Sequence, residues 1–323
     1  MAHVVVPGSS HIVVTGASSF IGSWMVRHLV SAGSPVTALV RPATDTWRLR
    51  GIDSATVVRV DSRDWADTLR DLRPEVVISL DWAGVSGADR DNEEQWSNVD
   101  RVASLAEAAI VAGSQRFVGV GSHAEYGPHE GPLPESTLPQ PASKYGQAKL
   151  ATLGRVSSVC EEHGASWAWA RVFSTYGPLD NAHWLFPLIA DAVLAGRDID
   201  LSGGEQLWSY LYGSDAGAAI ATIATHPHSS GVYNVGNPQP SRLRDLIQAF
   251  GERLGSTHHL KFGARPYDPG SVMHLEPVVD RLAELGWKPQ TTMNAGLDAT
   301  AAWLMGQQVA DPVLRNLDLP AKP

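Results

Sequence analysis

The sequence predicts an α/β fold, a doubly wound parallel sheet with a smaller C-terminal α/β lobe. Three observations carry that expectation. The N-terminal half alternates short β-branched runs with longer stretches of helical periodicity. A glycine-containing turn, Thr15-Gly16-Ala17-Ser18-Ser19-Phe20-Ile21-Gly22, joins the first such run to the first helical stretch. After Gly177 the texture changes: Pro, Gly and aromatic residues become frequent and the alternation weakens.

Taken in order, His11–Thr15 reads as a strand and Phe20–Ala32 as a helix. Pro35–Val40, Thr56–Val60 and Glu75–Leu80 are further strands, and Glu93–Ala112 is a long helix. Arg116–Gly121 is a fifth strand, Ser143–His163 a second long helix and Ser166–Phe173 a sixth strand. Strands separated by helices at this spacing require right-handed crossovers and therefore a parallel sheet. Tyr233–Gly236 is expected to return to that sheet. The expected division is residues 1–174 plus about 205–236 for the sheet domain, and about 175–204 plus 237–323 for the smaller lobe.

The bulk composition bounds the function. Of 323 residues, 43% are hydrophobic and 18% charged, which is enough apolar material for a sizeable core. A formal charge of −9 with no basic stripe argues against a nucleic-acid partner. No run approaches the roughly 18 apolar residues of a membrane span, and Met1 to Ser10 does not read as a signal peptide. The single cysteine, Cys160, excludes an intramolecular disulfide and fits a reducing cytoplasm; it reads as a buried small hydrophobe. Nothing in the sequence calls for a metal. The 11 tryptophans read as packing residues.

The glycine turn follows the first strand and opens a helix. Gly16 permits the sharp turn, Gly22 permits close helix–strand packing, and the free N–H groups at the helix start, from Ser18 and Ser19 through Phe20 and Ile21, suit a pyrophosphate. In this context the motif predicts a dinucleotide-binding, Rossmann-type domain. The second strand is followed by Arg41 rather than by an acidic residue. A carboxylate there would bind the adenosine ribose and repel a 2′-phosphate; an arginine pairs with that phosphate, so NADP(H) is expected over NAD(H), with NAD(H) kept as the alternative.

Tyr145-Gly-Gln-Ala-Lys149 opens the second long helix. Residues four apart share a helix face, so phenol and ammonium project into one site. A free tyrosine is a weak acid–base at neutral pH, and a nearby lysine cation favours its phenolate. The same lysine is expected to bind the nicotinamide ribose. Ser122, at the carboxyl end of the fifth strand, is placed to donate a hydrogen bond to the substrate oxygen that Tyr145 protonates or deprotonates.

The ordered set Gly16…Gly22, Asp61, Asn98, Ser122…Tyr126-Gly127, Tyr145…Lys149, Arg171…Tyr176-Gly177-Pro178, Tyr212…Asp215, Tyr233-Asn234-Val235-Gly236 and Leu285-Gly286-Trp287-Lys288-Pro289 resembles the extended short-chain dehydrogenases, in particular the NAD-dependent sugar-nucleotide epimerase/dehydratase family. The resemblance implies a catalytic set of Ser122, Tyr145 and Lys149, Asp61 holding the adenine amino group, Leu80 and Asp81 beside the cofactor, and a nucleotide-sugar substrate. It also implies a homodimer through a four-helix interface formed by the two long helices.

The departures from the family narrow the reaction. Its middle glycine is Ser19 here. Its 4,6-dehydratases carry an acidic residue two or three places before the Tyr-Gly pair, where this chain has His123 and Ala124; Glu125 is one place late and expected to point elsewhere. Its 3,5-epimerase/reductases have a cysteine in the place of Ala124. Ser174 and Trp208 stand where the family usually has Asn and Arg on the diphosphate, leaving Arg265 to carry that group, and Asp81 replaces a small residue. The expectation is an NADPH-dependent reductase of a nucleotide-activated 4-keto-6-deoxy sugar. The alternatives are an NAD-dependent nucleotide-sugar 4-epimerase, a reductase of a small non-nucleotide carbonyl compound, and a non-catalytic NADP sensor.

Overall fold

A computed structural model describes residues 10–268 and 271–307. The N-terminal stretch read for a signal peptide lies outside the described residues except for Ser10, as does the end of the predicted lobe beyond residue 307.

The chain runs β1 (Ile12–Thr15), α1 (Phe20–Ser31), β2 (Val36–Val40), β3 (Ala55–Arg59), α2 (Trp65–Leu72), β4 (Val76–Ser79), α3 (Gln95–Val111), β5 (Arg116–Ser122), β6 (Pro132–Leu133), α4 (Lys144–Glu162), β7 (Ser166–Val172), β8 (Ser174–Tyr176) and α5 (Leu185–Leu194). It continues through β9 (Ile199–Leu201), β10 (Leu207–Trp208), β11 (Tyr210–Tyr212), α6 (Gly213–Thr225), β12 (Gly231–Val235), β13 (Ser241–Arg242), α7 (Leu243–Arg253), β14 (Leu260–Phe262), β15 (His274–Pro277), α8 (Asp280–Glu284) and α9 (Met293–Leu304).

Seven parallel strands form the central sheet in the order β12-β7-β5-β4-β1-β2-β3. From β1 the chain moves outward to β2 and β3, then returns to the other side of β1 at β4. That reversal opens a crevice at the carboxyl ends of β1 and β4, where doubly wound sheets bind their ligands. β12 rejoins the sheet beside β7, with Val235 opposite Val172. Helix α2 carried no sequence expectation. It is only eight residues long and ends at Arg73 in a left-handed conformation (φ 46°); its buried Trp65 and Leu69, one turn apart, give an apolar stripe too brief to stand out in a run of charged residues.

Each face of the sheet has its own apolar layer. Residues such as Ile12, Val14, Met25, Ile78, Ala216 and Ile220 pack on one side, and Val13, Leu69, Phe117, Val156 and Trp169 on the other. The small side chains of α6 let it lie close against α1: a Cβ on Gly217 would stand 2.6 Å from Met25 N. On the opposite face α3 packs along α4. A separate cluster built from Tyr176, Phe186, Ile189, Ile247, Phe250 and Leu297 forms the core of the second unit, around α5, α7 and α9. Residues 205–212 contribute to small sheets there, with β10 between β13 and β15 and β11 beside β8. Among the described residues no helix is long and apolar enough to cross a membrane.

Candidate active site

The glycine turn sits on the crevice floor. Gly16 has φ +72°, and a Cβ there would come within 2.6 Å of Leu80 C and 2.7 Å of Asp81 N. A Cβ on Gly22 would stand 2.2 Å from Gly16 O. No side chain fits at either position, so the turn lies flat against the end of β4. Ser19, the middle position of the motif, is the N-cap of α1: its Oγ accepts from Gly22 N at 3.1 Å and its side chain is turned onto the helix. The helix N–H groups of Phe20 and Ile21 have no carbonyl one turn back within the helix, the usual arrangement for holding a phosphate.

A cleft of about 260 Å³ opens above this turn. Ligand clefts run roughly 300–1,000 Å³, so it suits one half of a dinucleotide. It brings together Gly16, Ser18, Ser19, Arg41, Leu80 and Asp81, all expected from the sequence. Thr44, Asp45, Arg48 and Trp65 also line it; they lie in a loop, a single 3-10 turn and a helix start, where periodicity carries no information. Asp61 is not among the lining residues. Its carboxylate accepts from Arg63 N at 3.1 Å and pairs with the Arg63 guanidinium at 3.1 Å, and that hydrogen bonding holds it below the ordinary carboxylate range. The compact glycine cradle and the open N–H groups fit the phosphates of NAD(P).

The reacting end is built from side chains. On β5, Gly119 and Gly121 leave a groove filled by the Trp169 indole: a Cβ on either would come 2.1 Å from it. The indole Nε1 donates to Glu125 at 3.0 Å, Arg171 Nε donates to Glu125 at 2.6 Å, and Ser122 N donates to Glu125 at 2.8 Å. Glu125 is fully buried and its carboxylate is engaged by this network. The network pins the end of β5 and with it Ser122. Ser143 caps α4 through Gly146 N, which sets Tyr145 in the first turn, close enough for Ser122 to act on its phenol.

Tyr145, Ser122 and Lys149 therefore converge, with one departure from expectation. Lys149 Nζ donates to Val120 O at 2.7 Å and lies 3.7 Å from the centre of the Trp82 ring, against 5.8 Å from that of Tyr145. Burial lowers the Lys149 ammonium to about 7, with Glu125 and Asp81 opposing. The cation acting on the Tyr145 phenol is Arg90, whose Cζ lies 4.6 Å from its ring centre. Burial raises the phenol above its ordinary value, while Arg90 and the Ser122 hydrogen bond pull the other way. The expected lowering by Lys149 is not the arrangement here, because Trp82 and Val120 already engage its charge and its N–H.

Trp82 lines both the cofactor cleft and the narrow gap beside Lys149. Its Nε1 donates to Gln95 at 2.8 Å, which fixes the ring. The sequence offered a signal for it, a bulky residue next to Asp81 at a strand end. For Arg90, in the short turn Gly87–Asp91, it offered none. Asp81 is largely buried and pairs with Arg101 at 3.2 Å instead of facing solvent.

On the substrate side, the His123 ring sits 5.7 Å from Phe173 and 6.5 Å from Trp208, and Ala124 follows it. Burial, with Arg90 nearby, holds the imidazole at about 4, so it is neutral at pH 7. Trp208 Nε1 donates to Ser174 Oγ at 2.8 Å: the two positions that differ from the family satisfy each other. Arg265 is exposed beyond β14 and pairs with Asp268 at 3.4 Å, and the structure does not gather it with the other site residues.

Residues 12–236 match the model of the NAD dependent epimerase/dehydratase family. The chain is 27% identical to a dTDP-glucose 4,6-dehydratase of Streptomyces griseus over 324 residues, covering 91% of this chain and 94% of the relative. It is 27% identical to a UDP-glucose 4-epimerase of Mycolicibacterium smegmatis over 304 residues, covering 89% and 96%. Among solved structures it is similar to the UDP-glucose 4-epimerase of Thermotoga maritima with UDP-glucose (TM-score 0.82, 24% identity, 92% and 99% covered). It is also similar to MoeE5 in complex with UDP-glucuronic acid and NAD (TM-score 0.79, 27% identity, 92% and 99% covered). The glycine cradle at the sheet's switch point, the Ser–Tyr–Lys cluster and these matches agree, and the chain belongs to the NAD dependent epimerase/dehydratase family.

Proposed function

We propose that this protein transfers hydride between a nicotinamide cofactor and a single carbon of a nucleotide-activated sugar, and that it works as an NADPH-dependent ketoreductase. The observation that carries this reading is that, among the described residues, the carboxylates near Tyr145 are engaged elsewhere. Dehydration needs a second proton donor for the departing hydroxyl. His123 is neutral, Ala124 has no proton to give, and Glu125 is locked between Arg171 and Trp169. What remains to protonate the substrate oxygen is the Tyr145 phenol, with Lys149 behind it and Ser122 as the donor that orients the carbonyl oxygen. That set serves reduction of a ketone: as hydride arrives at carbon, the oxygen takes the phenolic proton. NAD(P)H supplies the hydride when bound; Gly16, Ser19 and the start of α1 would hold its phosphates. The dimer implied by the family resemblance stays part of this proposal, with Trp96 and Val111 of α3 offering exposed apolar surface.

Arg41 favours NADPH. A second reading, NAD-dependent 4-epimerisation, is favoured by Asp45, which lines the same end of the cleft, and by the UDP-sugar 4-epimerases among the relatives. The test is twofold. Mass spectrometry of the native protein identifies any retained cofactor: an empty protein that takes up NADPH fits the reductase, and stoichiometric bound NAD overturns it for the epimerase. In titrations, Arg41→Asp is expected to weaken NADPH binding by roughly tenfold or more, the worth of one charge-assisted pair. Equal affinity in the variant removes Arg41 from cofactor choice.

A further inference from the structure

The reacting end of the cleft holds a cation whose partner is missing. Arg90 stands on the short turn Gly87–Asp91, stacked over the Tyr145 ring with Cζ 4.6 Å from its centre. Its Nε is buried and has no hydrogen-bond partner. Among the described residues no ion pair involves Arg90. The carboxylates around the site are committed elsewhere: Glu125 to Arg171, Asp81 to Arg101, and Asp91 to the main-chain N–H of Lys144, at 3.1 Å. The charge of Arg90 is felt by both Tyr145 and His123, so the three groups lie close together.

The residues expected to meet the diphosphate supply little free positive charge. Ser174 and Trp208 are neutral and bonded to each other, Arg265 is exposed and paired with Asp268, and Lys149 lies against Trp82. A guanidinium donor buried without a partner is costly, and a ligand oxygen that completes it recovers that cost. The planar fork of arginine matches a carboxylate in geometry as well as charge.

We propose that Arg90 is a specificity residue that receives a carboxylate carried on the sugar ring, next to the carbon that exchanges hydride. The proposal rests on the nucleotide-sugar reading above and narrows it to acidic sugars. The oxygens of the carboxylate would take the N–H groups of Arg90, and neutral His123 would border the same group without adding charge.

The experiment is calorimetric titration of the protein saturated with NADP+ or NAD+, using UDP, UDP-glucose and UDP-glucuronic acid as probes. These two sugar nucleotides differ at one ring substituent. The wild-type protein is expected to bind UDP-glucuronic acid roughly tenfold or more tightly than UDP-glucose, Arg90→Met to erase the preference while holding UDP-glucose affinity within about twofold, and Arg90→Lys to keep part of it. Equal affinity of the wild-type protein for the two sugars, or a preference that survives Arg90→Met, overturns the assignment. Should Arg90→Met fail to fold, the wild-type comparison and Arg90→Lys still decide it. If none of the three probes binds, the nucleotide-sugar reading falls and this proposal falls with it. If UDP binds and the sugars are not distinguished, only the role of Arg90 is lost.

Discussion

The two ends of the crevice are made of different material. The cofactor end is made of backbone: Gly16 and Gly22 matter for what they lack, and the helix start supplies N–H groups that any sequence would supply. The reacting end is made of side chains, and apart from Arg90 the main ones are fixed by partners: Glu125 by Arg171, Lys149 by Val120 and Trp82, Trp208 by Ser174. A site made of backbone tolerates few changes and is read from a short motif. A site made of side chains is retuned one residue at a time, which is why the departures from the family gather there.

The comparison breaks most visibly at Tyr145. Tyr145→Phe keeps the ring and removes the proton, so turnover should fall on the order of 10²–10⁴-fold while cofactor affinity stays nearly intact. Lys149→Ala should lower turnover and weaken cofactor binding together, and Ser122→Ala should be milder than Tyr145→Phe. Steady-state kinetics with a cofactor titration separates the three. Wild-type turnover in Tyr145→Phe with any accepted substrate would remove the catalytic reading of the whole cluster.

A structural break comes next. Glu125 and Arg171 are 0% and 3% exposed, so Glu125→Gln leaves a buried guanidinium without its counter-charge. The expected loss is about 3–5 kcal/mol in chemical unfolding. A loss below about 1 kcal/mol, the range of exposed pairs, would mean the pair does not hold the end of β5.

The seam between the ends gives the finest test. Arg48 lines the cofactor cleft, donates to Leu179 O at 2.7 Å and donates to Asn181 Oδ1 at 2.8 Å, tying that cleft to the loop after β8. Between those two acceptors, burial raises Asp180 from 3.8 to about 7, with Asn181 N–H and Arg48 opposing. A carboxyl whose folded value is raised favours the folded state while it is protonated. Its contribution is present at acid pH and lost as pH rises through the window from about 4 to about 7. Asp180→Asn removes that loss, so the variant should gain stability over the wild type across this window, by a few kcal/mol at most, and hold a constant margin above it. A margin that does not change with pH in thermal melts would place Asp180 outside this linkage.

Much of the fold was legible because its signals are local. The alternation of runs placed β1, β2, β4, β5 and β7 to within a residue or two, and Ser143 marked the start of α4. The cofactor turn was legible for the same reason. What escaped were contacts made by the chain's return: Arg48 reaching the loop after β8, Trp82 lying over Lys149, Arg90 stacking on Tyr145. None has a period or a motif, since each depends on where two distant segments meet. Asp61 stands after the third strand, where the family resemblance put an adenine contact; what the sequence did not signal is that Arg63, two residues on, pairs with its carboxylate.

The groove that Gly119 and Gly121 open for Trp169 also constrains how this site can change in evolution. Because the indole and Arg171 hold Glu125 inside the β5 frame, this carboxylate cannot be recruited as an acid without dismantling the strand end. The two positions just before it carry no such burden, since His123 and Ala124 take no part in that network. A route to elimination chemistry therefore runs through a new acid at one of these two sites, with the buried frame left intact, and the scaffold separates what it needs for shape from what it is free to vary for reaction type.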